Sequence, residues 1–221
     1  MKTSFYFIIL FSFTMLIACK ENIEKKDTPI VKEESETEEI EKIPEQILTV
    51  EDYIASAVLA APKEFREQAK VYGFDENGKM ITLREGENEI ICIADDPNRN
   101  GFEVVAYHKD LEPFMARGRV LKAEGKSAQE KAAIREKEAI DGSLEMPKKS
   151  ATLHILFGEN GYFDIKSKTV KNAHYRYVVY MPFATQASTG LSLKPNSPGH
   201  PWLMFPGKAY AHIMISPPIV E

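Results

Sequence analysis

The chain has 221 residues, 28 basic and 33 acidic side chains, a net charge of −5, five histidines and two cysteines. Hydrophobic residues make up 43% of it, enough for a real core and too many for a fully disordered chain. The mild acidity argues against nucleic acid as a partner, and two cysteines allow at most one disulfide.

Met1 and Lys2 give a short basic start, residues 5 to 18 are almost wholly apolar, and Leu16-Ile17-Ala18-Cys19 follows. The apolar run is shorter than the ~20 residues that span a hydrocarbon core, so a transmembrane helix is not expected. The pattern resembles a bacterial lipoprotein signal. That resemblance implies removal of residues 1–18, acylation of Cys19 and a lipid bilayer as partner, with the chain held at the cell envelope. Lys20 after the cysteine differs from the aspartate of inner-membrane retention in the enterobacterial family, so the outer membrane is expected. Cys19-Lys20-Glu21 is also similar to the export signal of Bacteroidota surface lipoproteins; periplasmic and surface-facing topologies both stay open. Acylation would leave Cys92 without a partner, and its flanks Ile90-Ile91 and Ile93-Ala94 read as a buried strand.

From Lys20 to Gln46 there are ten acidic residues against five lysines and no aromatic. Residues 19–46 therefore read as an acidic tether that cannot offset its ordering entropy, and with Lys2 set aside residues 47–221 carry about −1. Thr49 caps an expected helix running to Ala61, and Pro62 starts a short one to Gln68. Residues 71–74 and 80–83 flank Asn77-Gly78, the signature of a hairpin, and further strands are expected at 88–94 and 102–108. Helical spacing returns from Leu111 to Glu124, and Ser127-Ala128-Gln129-Glu130 forms a capping box that opens a second helix towards Gly142. Strands at 151–157, 175–181 and 209–215 complete the chain. The order predicts a single α+β domain over 47–221, an antiparallel sheet with a helical hairpin inserted between strands.

No phosphate loop, His-Glu-x-x-His, Cys-x-x-Cys or Gly-x-Ser-x-Gly is present, so no motif assigns a reaction or a cofactor. His108, His154 and His212 lie on expected strands. Brought to one face, three imidazoles would suit zinc with an open position, with Asp95 or Asp96 orienting one of them, which is a hydrolase-like arrangement. The loop from Lys194 to Pro206 offers His200, Trp202 and Phe205 as a rigid ligand-binding rim. Two functions are therefore expected from the sequence: first a binding module for an envelope protein, glycan or small ligand, second a His- or metal-dependent hydrolase of an envelope or extracellular substrate.

Overall fold

A computed structural model describes residue 43 and residues 46–218. Cys19, the signal segment and most of the acidic tether lie outside the described residues. Among those described, no helix is long and apolar enough to cross a membrane.

Thr49 accepts the Asp52 amide while the Asp52 carboxylate accepts the Thr49 amide, and this reciprocal cap starts α1 (Val50–Ala57). The helix tightens into two 3₁₀ turns before β1 (Lys70–Phe74), and the Asn77-Gly78 turn leads into β2 (Met80–Arg84) as expected. Gly78 takes φ 73°, and the Asp75 carboxylate accepts the amides of Asn77 and Lys79, so the turn is closed by its own side chain. Next come β3 (Ile90–Ile93), β4 (Phe102–His108), α2 (Glu112–Ala123), α3 (Ala128–Ile140) and β5 (Ala151–Gly158). A small hairpin of β6 (Tyr162–Asp164) and β7 (Thr169–Lys171) follows. The chain finishes with β8 (His174–Tyr180), a four-residue α4 (Gln186–Thr189), β9 (Trp202–Met204) and β10 (His212–Ile215).

Eight strands form one sheet in the order β2-β1-β3-β4-β5-β8-β10-β9. The α+β architecture and the helical hairpin between β4 and β5 are as the sequence predicts. The sheet itself is mixed, because β3 pairs parallel to β1, with Val71 opposite Cys92. The β1–β2 hairpin turns outward to the edge, and the next strand returns on the far side of β1. Period-two alternation sets which face a residue takes and says nothing about direction.

The sheet is covered on both faces. On one, α1 packs over Val71, Cys92, Val104 and Ala106, all fully buried. On the other, Leu111 and Met115 at the start of the helical hairpin pack on Ile91, Tyr107, Leu153 and Val178. Each fully buried aliphatic side chain contributes roughly 1.5–3 kcal/mol, so these two layers carry the fold. The helices α2 and α3 are clamped by Arg117, whose guanidinium donates to both carboxylate oxygens of Glu138 at 2.7–3.0 Å. Gly118 leaves room for Arg135, whose Nη1 would sit 2.9 Å from a Cβ at that position.

The register also orients the ends. The row Ala151–Tyr180–His212–Met204 closes the sheet at the end where β4 finishes. Gln46 lies at the opposite end, where its amide bonds the backbone of Phe163 and Ile165 at 3.1 Å. The last residue expected in the tether is thus tied to the fold.

Candidate functional site

His108 and His154 share the α1 face, since Ala106 pairs with His154 and His108 follows two residues later. His212 pairs with Tyr180, which lies on the opposite face together with Val178 and Leu153. A one-residue slip would be needed to bring it across, and burial of both faces forbids that. The three-histidine arrangement is therefore not assembled, and no group of three metal-ligating side chains exists among the described residues.

Each histidine instead has a local role. His108 Nδ1 accepts the Asp110 amide at 3.2 Å and caps the 3₁₀ turn before α2. His154 packs edge-on against Tyr177 at 5.5 Å, and burial holds its imidazole pKa below the usual value. His212, itself buried, donates from Nδ1 to the Tyr210 carbonyl at 2.9 Å; burial outweighs that bond and lowers its pKa too. Asp95 and Asp96 lie beyond β3 at the far end of the sheet from His108, so neither orients a histidine. Asp95 accepts the Glu103 amide at 2.9 Å, and Asp96 accepts that of Asn98 at 3.0 Å. Burial pushes the Asp95 carboxyl up to about 6, against the pull of the Glu103 amide and Arg99. Cys92 is fully buried, and desolvation raises its thiol to about 12.

The expected aromatic rim is also divided. Trp202 is a strand residue, half-buried and paired with Met214, and His200 precedes β9 while Phe205 follows it. The Nδ1 atom of His200 is buried without a hydrogen-bond partner among the described residues. Phe205 alone of these reaches a cleft of consequence. It stands at the mouth of an open groove of about 830 Å³ formed by α3 on one side and Phe205, Lys208 and Tyr210 on the other.

Comparison with models of known families, with curated proteins and with solved structures found no match. The groove must therefore be read from its own chemistry.

The groove exists because α3 faces the turn after β9 with alanines. Its 13 residues include no fully buried side chain, and Ala128, Ala132 and Ala133 face the turn that follows β9 without reaching it. The helix is held at this distance by Glu136, whose carboxylate accepts the Ala209 amide at 2.9 Å and lies 3.9 Å from the Lys208 ammonium. The groove's two rings, Phe205 and Tyr210, belong to a longer chain of ring contacts. Phe205 contacts Tyr210 at 5.0 Å and His212 at 5.7 Å, His212 contacts Tyr180 at 5.1 Å, and Phe114 stacks on Tyr210 at 6.4 Å. The Arg135 guanidinium lies over Phe114 at 3.9 Å. The lining is mainly apolar, with Phe205 and Tyr210 as its rings and Glu136, Lys137, Asp141 and Lys208 as its charged groups, a surface suited to contact with an apolar group. Ile140, 67% exposed, extends the apolar wall towards solvent.

Sequence reasoning found Phe205 and missed its partners. Ala132 and Ala133 carry no signal beyond continuing the helix, and Tyr210 lies 77 positions beyond Ala133 in the chain.

Proposed function

We propose that this chain is an envelope-anchored lipoprotein whose folded domain is a binding module. An apolar side chain of a partner protein, or a small apolar ligand, enters the groove between α3 and the 205–210 turn. The observation that supports this reading is the groove itself: 830 Å³ of open, mainly apolar space with the rings of Phe205 and Tyr210, in contact at 5.0 Å, in its wall. Phe205 has φ 53°, a left-handed backbone that a phenylalanine adopts at a cost of roughly 1–2 kcal/mol. Keeping that ring at the mouth of the groove, when glycine would take the turn freely, is consistent with a role in contact.

The test uses the fluorescent apolar anion anilinonaphthalene sulfonate with the folded chain. Saturable binding is expected, weakened at least tenfold by Ala132→Trp, which fills the groove from the helix side. An unchanged affinity in that variant, with native circular dichroism, would defeat the groove reading. The anchor is tested separately: labelled palmitate should enter the parent chain in the producing cells and not Cys19→Ala, which should leave the membrane fraction.

A further inference from the structure

Three connections run out beyond the terminal row Ala151–Tyr180–His212–Met204: residues 146–150 before β5, residues 181–184 after β8, and residues 205–211 between β9 and β10. The last two are bonded to each other, Phe183 N–H donating to the Lys208 carbonyl at 2.8 Å and Gly207 N–H to that of Ala184 at 2.7 Å. The first two form the walls of a second open cleft of about 670 Å³. Met146, Pro147, Met181, Pro182 and Phe183 supply its apolar surface, and its only charged lining residues are Lys148 and Lys149. Neither lysine has an ion-pair partner among the described residues. Lys208, on the turn that carries Phe205, faces Glu136 at 3.9 Å, and Lys148 also lines a neighbouring cleft that holds Lys109, Asp110, Glu112 and Glu145.

Two phenylalanines at this end have left-handed backbones, Phe183 at φ 62° and Phe205 at φ 53°, with 50% and 45% of their surface exposed. The unfavourable conformation is thus held at two adjoining turns, and in each it presents a ring to solvent. Aromatic rings on adjoining turn tips, with Lys148 and Lys149 beside them, match the chemistry of a bilayer interface: rings enter the acyl boundary while ammonium groups meet phosphates. A soluble partner would more naturally use the concave groove on the helix side. We propose that this end of the domain is a docking tip for an anionic phospholipid surface, with Phe183 and Phe205 entering the interface and Lys148 and Lys149 meeting the headgroups. This tip does not depend on the groove having a ligand, nor on acylation of Cys19.

The experiment takes the full chain carrying Cys19→Ser, so that buried Cys92 is the only native thiol, and attaches an environment-sensitive fluorophore at Ser150→Cys or at Lys166→Cys. The first position is at the tip and the second in the turn between β6 and β7, near Gln46. Vesicles of phosphatidylcholine with phosphatidylglycerol should give a blue shift at position 150 alone, weakened by salt and absent on pure phosphatidylcholine. Lys148→Gln and Lys149→Gln should each weaken it about fivefold, and Phe183→Ser by a similar factor. Ala132→Trp should leave it unchanged, which separates this result from that of the groove. The proposal is overturned by an equal response at both positions, by an equal response on neutral vesicles, or by no response. It is also overturned if natively folded Phe183→Ser binds as the parent does, or if that change instead abolishes self-association of the chain, which would give the tip to a second copy.

Discussion

Glu112, at the first turn of α2, joins three side chains, and removing it should cost more than removing any one of its partners. The Tyr107 hydroxyl donates to its carboxylate at 2.5 Å, Arg119 donates at 2.5 Å and Tyr72 at 3.3 Å. Tyr107 has no solvent exposure, so its hydroxyl has no water to fall back on. In Tyr107→Phe the carboxylate keeps Arg119 and Tyr72; the loss is the bond to Glu112 and the longer one accepted from Arg119 at 3.3 Å, together about 2 kcal/mol. Glu112→Leu leaves the Tyr107 hydroxyl buried without an acceptor, at about 1–3 kcal/mol. It also removes the ion pair with the partly exposed Arg119 and an acid from the helix N-terminus, for a sum of about 3–4 kcal/mol. In the double variant no stranded hydroxyl remains, so its cost should fall short of the summed single costs by about 1.5 kcal/mol. For a domain of this size each kcal/mol moves Tm by about 2–4 °C, which places the drops near 5 °C for Tyr107→Phe and near 10 °C for Glu112→Leu. Urea unfolding with a constant slope would give the free energies directly. Additivity of the two changes to within about 0.5 kcal/mol would refute the reasoning, as would a larger cost for Tyr107→Phe than for Glu112→Leu.

Three further outcomes are expected. Asp95 titrates near 6 when folded and near 3.8 when unfolded, so between those values the folded chain holds the extra proton. Its contribution to stability therefore falls as pH rises from about 4 to about 6 and stays low above that. Asp95→Asn, whose amide oxygen can still accept the Glu103 N–H, should raise Tm at pH 7 and have little effect at pH 4; thermal melts at both values check this. Phe183→Gly should relieve the left-handed backbone and raise Tm by a few degrees, while weakening the vesicle response of the tip; a lower Tm would mean that the ring packs productively in the free domain. Cys92 in the Cys19→Ala chain should resist a thiol reagent until denaturant unfolds the domain, and rapid labelling under native conditions would contradict its burial.

The local rules of the chain were legible. The Thr49 cap, the Ser127 capping box and the Asn77-Gly78 turn each depend on contacts within four residues, and all three form. Long-range choices were not. Parallel pairing of β1 with β3 leaves no mark on alternation, and β9 is a three-residue edge strand hidden in a Pro- and Gly-rich segment. The β6–β7 hairpin turns at Lys168, φ 53°, with the Asp164 carboxylate accepting the Lys166 amide and the Ser167 hydroxyl in place of a glycine signal. The histidines show most clearly what was missing. Their strands were placed correctly, yet whether they could meet depended on register, and His212 falls on the other face. The groove was still less visible, because it arises where small side chains fail to fill the space between a helix and a turn far along the chain.

The strand directions put Gln46 at one end of the main sheet, and β10 runs from the terminal row towards that same end, where Pro218 approaches Gly199. Both ends of the described domain therefore leave from the side remote from Phe183, Phe205 and the groove mouth. The domain is in this respect a cassette: a reporter or a second domain fused at either end would leave those turns unobstructed. New termini opened in the exposed loop at Gly125 between α2 and α3 would also leave the turns intact.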